Sequence, residues 1–221
     1  MSIMIEHDKR RNSILEKALD VFMDEGFEYT TFQKIADKCR ITRTTLYLYF
    51  NNKKEIFTYS IKLMLIKMEE RVQSIQNNES LSCTDKITRV LLDIIRQLQK
   101  NQKLLIVILD YLFHLSRSDA DADIRVRRRT IKLRHFLSTM LIQGVKTKEL
   151  APINIKVTND YLYSFIEAAI FRLGILRRPT VEELEETVIQ GVKQLKNNIS
   201  ERNHVGNKWI KKIFRQKNNS K

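Results

Sequence analysis

Residues 30–53 read Thr30-Thr31-Phe32-Gln33-Lys34-Ile35-Ala36-Asp37-Lys38-Cys39-Arg40-Ile41-Thr42-Arg43-Thr44-Thr45-Leu46-Tyr47-Leu48-Tyr49-Phe50-Asn51-Asn52-Lys53. Ile35, Ala36, Ile41, Leu46 and Phe50 are spaced to close a small core between two short helices, about 31–39 and 43–49. Ala36 is small enough for those helices to cross closely, and Thr42 is a good N-cap for the second. With Leu46 turned inward, Arg43, Thr44, Tyr47 and Leu48 are left near the outward face. Two short helices joined by a turn of three or four residues, after a longer helix, form the outline of a helix-turn-helix unit.

The surrounding chain is helical in pattern on both sides. Upstream, Ile14, Leu15, Ala18, Leu19 and Phe22 form one stripe, and Gly26 stands where a helix C-cap belongs. Downstream, a long helix over 53–76 fades into Asn77-Asn78-Glu79-Ser80. A second set begins near Ser82 with Ile87, Val90, Leu91, Ile94, Ile95 and Leu98 on one helix. Leu104 to Leu115 give another, apolar on most sides and so expected to be buried. Further helices are expected over 120–146, 157–176 and 180–197, the last opened by the capping box Thr180-Val-Glu-Glu183. Both prolines, Pro152 and Pro179, fall between helices. The fold class is therefore all-α. Its expected division is an N-terminal helix-turn-helix domain over 8–65 (motif about 31–50), a larger helical domain over 66–197, and a basic tail over 198–221.

Composition closes off other classes. The 221 residues include five glycines and two prolines, far below the average usage of ~7% and ~5%. The nearest glycines, Gly191 and Gly206, stand 15 positions apart, so no glycine-rich phosphate loop is available. Cys39 and Cys83 are too few for a disulfide framework and lack metal-ligand spacing, and the four histidines are scattered. No cofactor or metal is expected, and no nucleophile–base pair is recognisable, so an enzyme is not expected. The longest aliphatic run, Leu104 to Leu109, stops at Asp110, well short of the ~20 residues of a membrane span. A soluble, cytoplasmic protein without a membrane partner is the expectation.

The net charge is +14, which favours an anionic partner. Residues 1–60 carry a net +1, residues 61–197 a net +7 and residues 198–221 a net +6. Between Thr30 and Lys54, six cations oppose only Asp37, so the motif is locally basic although its domain is nearly neutral.

The stretch from Ile14-Leu15 through Phe22, Gly26-Phe27, Thr30-Thr31, Ile35-Ala36, Thr45-Leu46-Tyr47, Tyr49-Phe50 and Lys53 to Ile56 resembles the TetR family of transcriptional repressors. The match covers roughly 8–65; the remainder is similar only in size and helical organisation. Three positions depart from the family pattern. Arg40 replaces the usual turn glycine: either the backbone bears a positive φ there, or the turn avoids that conformation and Arg40 reaches a phosphate. Thr44 stands where glycine is common, and Lys54 replaces a usual acid.

The resemblance implies that helix 43–49 enters the major groove. Arg43 is then the best candidate for guanine O6/N7, with Thr44 and the Tyr47 ring suited to a thymine methyl or base edge. Thr31, Thr45, Tyr49 and Lys53 look like phosphate contacts, with Tyr47 shared between roles. The plain alternatives are that Tyr47 and Tyr49 cover the small core and that the lysines are solvated surface.

The resemblance further implies an effector pocket among the C-terminal helices, for which Tyr111, His114, Phe136, Met140, Tyr163 and Glu167 are chemically suitable. It implies pairing of two copies through helices 157–177 and 180–197, using Ile166, Ala169, Ile170, Leu173, Leu184, Val188 and Val192, unless those stripes pack only within the monomer. The partners expected are a palindromic double-stranded DNA operator, a second copy of the chain and an unknown small-molecule effector. A non-switching architectural DNA binder is the alternative. The cluster Arg125, Arg127, Arg128, Arg129, Lys132 and Arg134 is expected to be a solvated helix face or an attractor for an anionic effector or acidic partner.

Overall fold

In the computed structural model, residues 2–116, 122–178 and 180–196 are described, with side chains from residue 6 onward apart from 114–130. No strand occurs among them. The helices are α1 (Ser2–Tyr29), α2 (Phe32–Cys39), α3 (Arg43–Tyr47), α4 (Lys53–Gln76), α5 (Cys83–Lys100), α6 (Gln102–Ser116), α7 (Ala122–Lys146) and α8 (Ile155–Ile170). A π-helical turn, Phe171–Ile175, follows α8, and α9 spans 182–196. The chain is all-α, with a helix-turn-helix near its N-terminus and a helical remainder.

Two compact units make up the chain. The first draws its described residues from Met1–Asn77, Gln97–Ile124 and Ile170–Pro179. Its core is the stripe Ile14, Leu15, Ala18, Val21 and Phe22 of α1 set against Ile56, Phe57 and Ile61 of α4 and Val107 of α6. These positions recur every three or four residues, as a single buried helix face requires. Phe22, Phe27 and Phe57 form an aromatic cluster completed by Tyr111, whose ring lies 4.6 Å from Phe27 and 4.9 Å from Phe57. A buried hydroxyl ties two helices together: Ser60 donates to the Leu15 carbonyl at 2.8 Å. Gly26 ends the main run of α1 at φ 79°, ψ 168°, a conformation that only glycine adopts without strain.

The second unit draws its described residues from Asn78–Arg96, Arg125–Ala169 and Thr180–Lys221. Ile87, Val90, Leu91 and Ile95 of α5, Leu137 and Met140 of α7, Leu162 and Ala169 of α8, and Val188 and Val192 of α9 are buried. Gly191 lets α8 approach α9, because a Cβ there would sit 2.5 Å from the Tyr161 hydroxyl and 2.9 Å from the Phe165 ring. Glu149 reaches across to cap α5, accepting from the Cys83 amide at 2.7 Å, the Thr84 amide at 2.9 Å and the Thr84 hydroxyl at 2.5 Å. Burial alone would raise this carboxyl. Hydrogen bonds from the Thr84 hydroxyl, the Thr84 and Cys83 amides and the Ser82 hydroxyl outweigh it and lower the pKa to about 2.

Two expectations are corrected. Helix α6 is not buried on most sides: Leu104, Leu105 and Val107 are buried, but Phe113 is 58% exposed. Apolar content fixes how much of a helix can be buried, and tertiary packing decides how much is. Most of the stripe assigned to subunit pairing is also already in use, with Ile170 alone of its seven residues half-buried. Ile166, Ala169, Leu173, Leu184, Val188 and Val192 are buried within the single chain, so they present no face to a second copy. The tail 198–221 and the side chains of Arg125, Arg127, Arg128 and Arg129 lie outside the described residues.

Candidate nucleic-acid interface

Each joint of the helix-turn-helix is specified by a local hydrogen bond. The Thr31 side chain accepts from the Lys34 amide and starts α2. Arg40 ends it at φ 57°, ψ 46°, and the Ile41 amide reaches back to the Ala36 carbonyl at 3.0 Å. That six-to-one bond is the Schellman closure, normally built on glycine. Of the two readings of Arg40, the positive φ is therefore the one adopted. Thr42 then caps α3, its hydroxyl accepting from the Thr45 amide at 3.1 Å and lying 2.8 Å from the Thr45 hydroxyl. Asn52 caps α4 by accepting from the Glu55 amide at 2.9 Å, and Glu55 accepts in return from Asn51.

Helix α3 is anchored by Leu46, fully buried beside Ile35, Ala36, Cys39 and Phe50. That anchoring turns Arg43, Thr44, Tyr47 and Leu48 outward; all four are exposed, Leu48 at 75%. The Tyr47 ring stacks on Phe32 at 4.6 Å, and its hydroxyl accepts from the Arg43 guanidinium at 3.1 Å. Tyr47 thus props Arg43 on a ring that is itself braced against α2. A long side chain so held loses less freedom on meeting a ligand than an unsupported one.

Tyr49 and Lys53 are placed differently. Tyr49 is half-buried, packed against the core and stacked on His7 at 4.7 Å. Lys53 donates to the Phe27 and Glu28 carbonyls at 2.9 and 2.8 Å, with its ammonium 4.8 Å from the Phe27 ring centre. It therefore neutralises the end of α1, where unpaired carbonyls gather. Thr31 and Thr44 are exposed and Thr45 is half-exposed. The Thr31 hydroxyl accepts its cap bond, so its proton remains available to a further acceptor.

The family profile described as "Bacterial regulatory proteins, tetR family" matches residues 14–59, the segment that builds this head. Over that segment the chain is similar to the TetR family. It is 28% identical over 154 residues to the HTH-type transcriptional regulator YfiR of Bacillus subtilis, covering 67% of this chain and 72% of that protein. It is also 28% identical over 72 residues to IcaR of Staphylococcus aureus, the negative transcriptional regulator of the biofilm operon icaADBC, covering 33% of this chain and 39% of IcaR. The fold resembles the crystal structure of the Bacillus subtilis regulator FadR in complex with stearoyl-CoA, at a TM-score of 0.62 and 18% identity, over 83% of this chain and 96% of that one. These relatives are transcriptional regulators.

The residues expected at a TetR-family effector pocket are spread over the chain. Tyr111 is part of the first unit's aromatic core. Phe136, Met140 and Tyr163 are buried in the second unit, whereas Glu167 is exposed. The His114 side chain lies outside the described residues. An apolar cavity of about 40 Å³ in the first unit is lined by Met64, Met68, Leu98, Leu104, Leu105 and Ile108 and by none of the six. Small-molecule sites are usually ~300–1,000 Å³, so this cavity holds no drug-sized ligand as it stands.

Between α7 and α8 lies a polar cluster that periodicity did not reveal. Asn159, 5% exposed, donates to the Arg134 carbonyl and the Ser138 hydroxyl, both at 2.6 Å. Its Oδ1 accepts from no described residue. Arg134 pairs with Asp160 and lies 4.1 Å from the Tyr163 ring centre. Burial, then the nearby Glu167 charge, raises the Tyr163 pKa, with Arg134 opposing. Asn159 stands between Thr158 and Asp160, so the local sequence gives no signal that it is buried.

Proposed function

We propose that this protein is a dimeric, sequence-specific repressor of the TetR family that leaves a palindromic operator when it binds a small-molecule effector. DNA reading falls to the domain over 8–65, and effector binding and dimerisation to 66–197. The observation that carries the reading is the mounting of α3, with Leu46 buried and Arg43 braced by Tyr47 on the opposite face. Arg43 reads a base edge, with Thr44 and Tyr47 beside it, and Thr31, Thr45 and Tyr49 hold phosphates. Lys53 contributes to phosphate binding as a charge held at the end of α1 and the start of α4. Repression is supported by the role of IcaR, and work on chromosomal DNA puts the protein in the cytoplasm. Among the described residues no helix is long and apolar enough to cross a membrane.

Pairing of two copies uses apolar surface that the single chain leaves open. On α8 that surface includes Val157, 63% exposed, and Tyr161, 41% exposed. Two-fold symmetry then sets two α3 helices against two half-sites. The effector enters between α7 and α8, near Phe136, Met140, Tyr163 and Glu167, where the Asn159 oxygen, unpaired among the described residues, favours a ligand carrying a hydrogen-bond donor. Release requires only that the effector bind better to the conformation that fits the operator worse. Selection of bound duplexes from a random pool tests the reading: an inverted repeat should emerge, and candidate effectors should then displace the protein from it. Recovery of no shared sequence would favour the architectural alternative.

A further inference from the structure

The N-terminal part of α1 and the turn after α2 border an open cleft of about 430 Å³, lined by Lys9, Arg10, Lys17, Arg40, Glu6 and Ser13 among others. Four cations there face one carboxylate. All four are exposed, and none has an ion pair among the described residues. The rest of α1 is arranged in the opposite way: Glu16 pairs with Lys67, Asp24 with Lys103 and Glu25 with Lys34. Three acids of α1 are thus paired, whereas Lys9, Arg10 and Lys17 of the same helix are left without an ion pair among the described residues.

Two further observations place this cleft beside α3. His7 stacks on Tyr49, which fastens the start of α1 to the end of the reading segment. Arg40 precedes Arg43 by three residues, a span of at most ~11 Å of chain. Arg40 also holds φ 57° at a cap where glycine would sit without strain. A cation is therefore kept at the mouth of the cleft against the preference of the backbone.

We propose that this cleft is a second phosphate-binding surface, gripping the duplex backbone next to the segment that α3 reads. It rests on the reading of α3 as the DNA-contacting helix. The guanidiniums of Arg10 and Arg40 suit forked contacts to phosphate oxygens, and Lys9 and Lys17 act as point charges. Such contacts carry no sequence information, but each displaces counterions and adds ~0.9 to the salt slope of binding.

The test uses the full chain, a triple Lys9→Gln/Arg10→Gln/Lys17→Gln variant, and Arg40→Gly. Binding to a pool-selected site and to a mixed-sequence duplex is followed by anisotropy from 50 to 300 mM KCl. The triple variant should flatten the slope of log K against log salt by about 2–3 on both duplexes, leaving the ratio between them unchanged. Arg40→Gly should raise the thermal midpoint while weakening both complexes severalfold, a divergence that a purely structural role does not produce. Unchanged slopes in both variants would overturn the proposal. If the wild type shows no preference for the selected site but the variants still flatten the slopes, the α3 reading fails and the cleft stands.

Discussion

The two units handle polar chemistry in opposite ways. In the first, the core is aliphatic and aromatic apart from small hydroxyls such as Ser60, and the charged groups of α3 are held outside it: Arg43 on Tyr47, Tyr47 on Phe32. In the second, charged and amide groups are turned inward as fasteners, with Glu149 over the start of α5 and Asn159 between α7 and α8. A surface that must meet a rigid duplex gains from a preset shape. Under the proposed function, a unit that changes shape with a ligand gains from a few polar fasteners whose partners can be exchanged.

The largest expected effect strikes the first unit's core. Phe22→Ala removes a fully buried ring of the Phe22–Phe27–Phe57 cluster and should cost ~3–5 kcal/mol, read as a shift of the denaturant midpoint. An effect under ~1 kcal/mol would mean that the aromatic cluster is not what holds α1 to α4.

On the other side of the comparison, Glu149→Gln should cost ~1–2 kcal/mol by weakening the cap of α5. The pH dependence has a definite sign. The folded carboxyl has its pKa lowered from 4.5 to about 2, so its contribution is complete above pH 4.5 and is lost as the pH falls toward 2. Denaturant midpoints measured down that range should fall in the wild type and lose that part of the slope in the variant. Specific DNA binding at neutral pH should not change. If it does, the two units are coupled through this cap and the contrast breaks.

Arg43→Ala should weaken operator binding by ~1–3 kcal/mol and relax preference at one base pair. Uniform weakening across all sequences would make Arg43 a phosphate contact instead. A smaller effect is expected for Lys53→Ala, at ~0.5–1.5 kcal/mol of stability, because two α1 carbonyls lose their donor. It should also weaken binding alike on all sequences. A loss of affinity with no loss of stability would mean that the two carbonyl bonds contribute nothing to folding.

The sequence made the helix ends legible because their causes are local. Gly26, Thr42 and the start of α4 at Lys53 are decided by hydrogen bonds within five residues or by one backbone angle. The inward turn of Leu46 follows from periodicity for the same reason. Lys53 shows the limit: its partners lie 25 and 26 positions away, beyond any local pattern. Tyr111 shows it again, since an aromatic residue on an apolar helix suits a pocket or a core until its neighbours, Phe27 and Phe57, are known. The stripes on α8 and α9 read as apolar faces, but periodicity does not say what covers them; here the chain covers most of them itself.

The central claim is that α3 reads sequence and does not merely adhere to DNA. Competition between the selected inverted repeat and mixed-sequence duplex at 150 mM salt tests it most directly. The account predicts a preference of ~10³-fold or more for the wild type, reduced at least tenfold in Arg43→Ala. Equal affinity of the wild type for both duplexes, or an undiminished preference in Arg43→Ala, would contradict it.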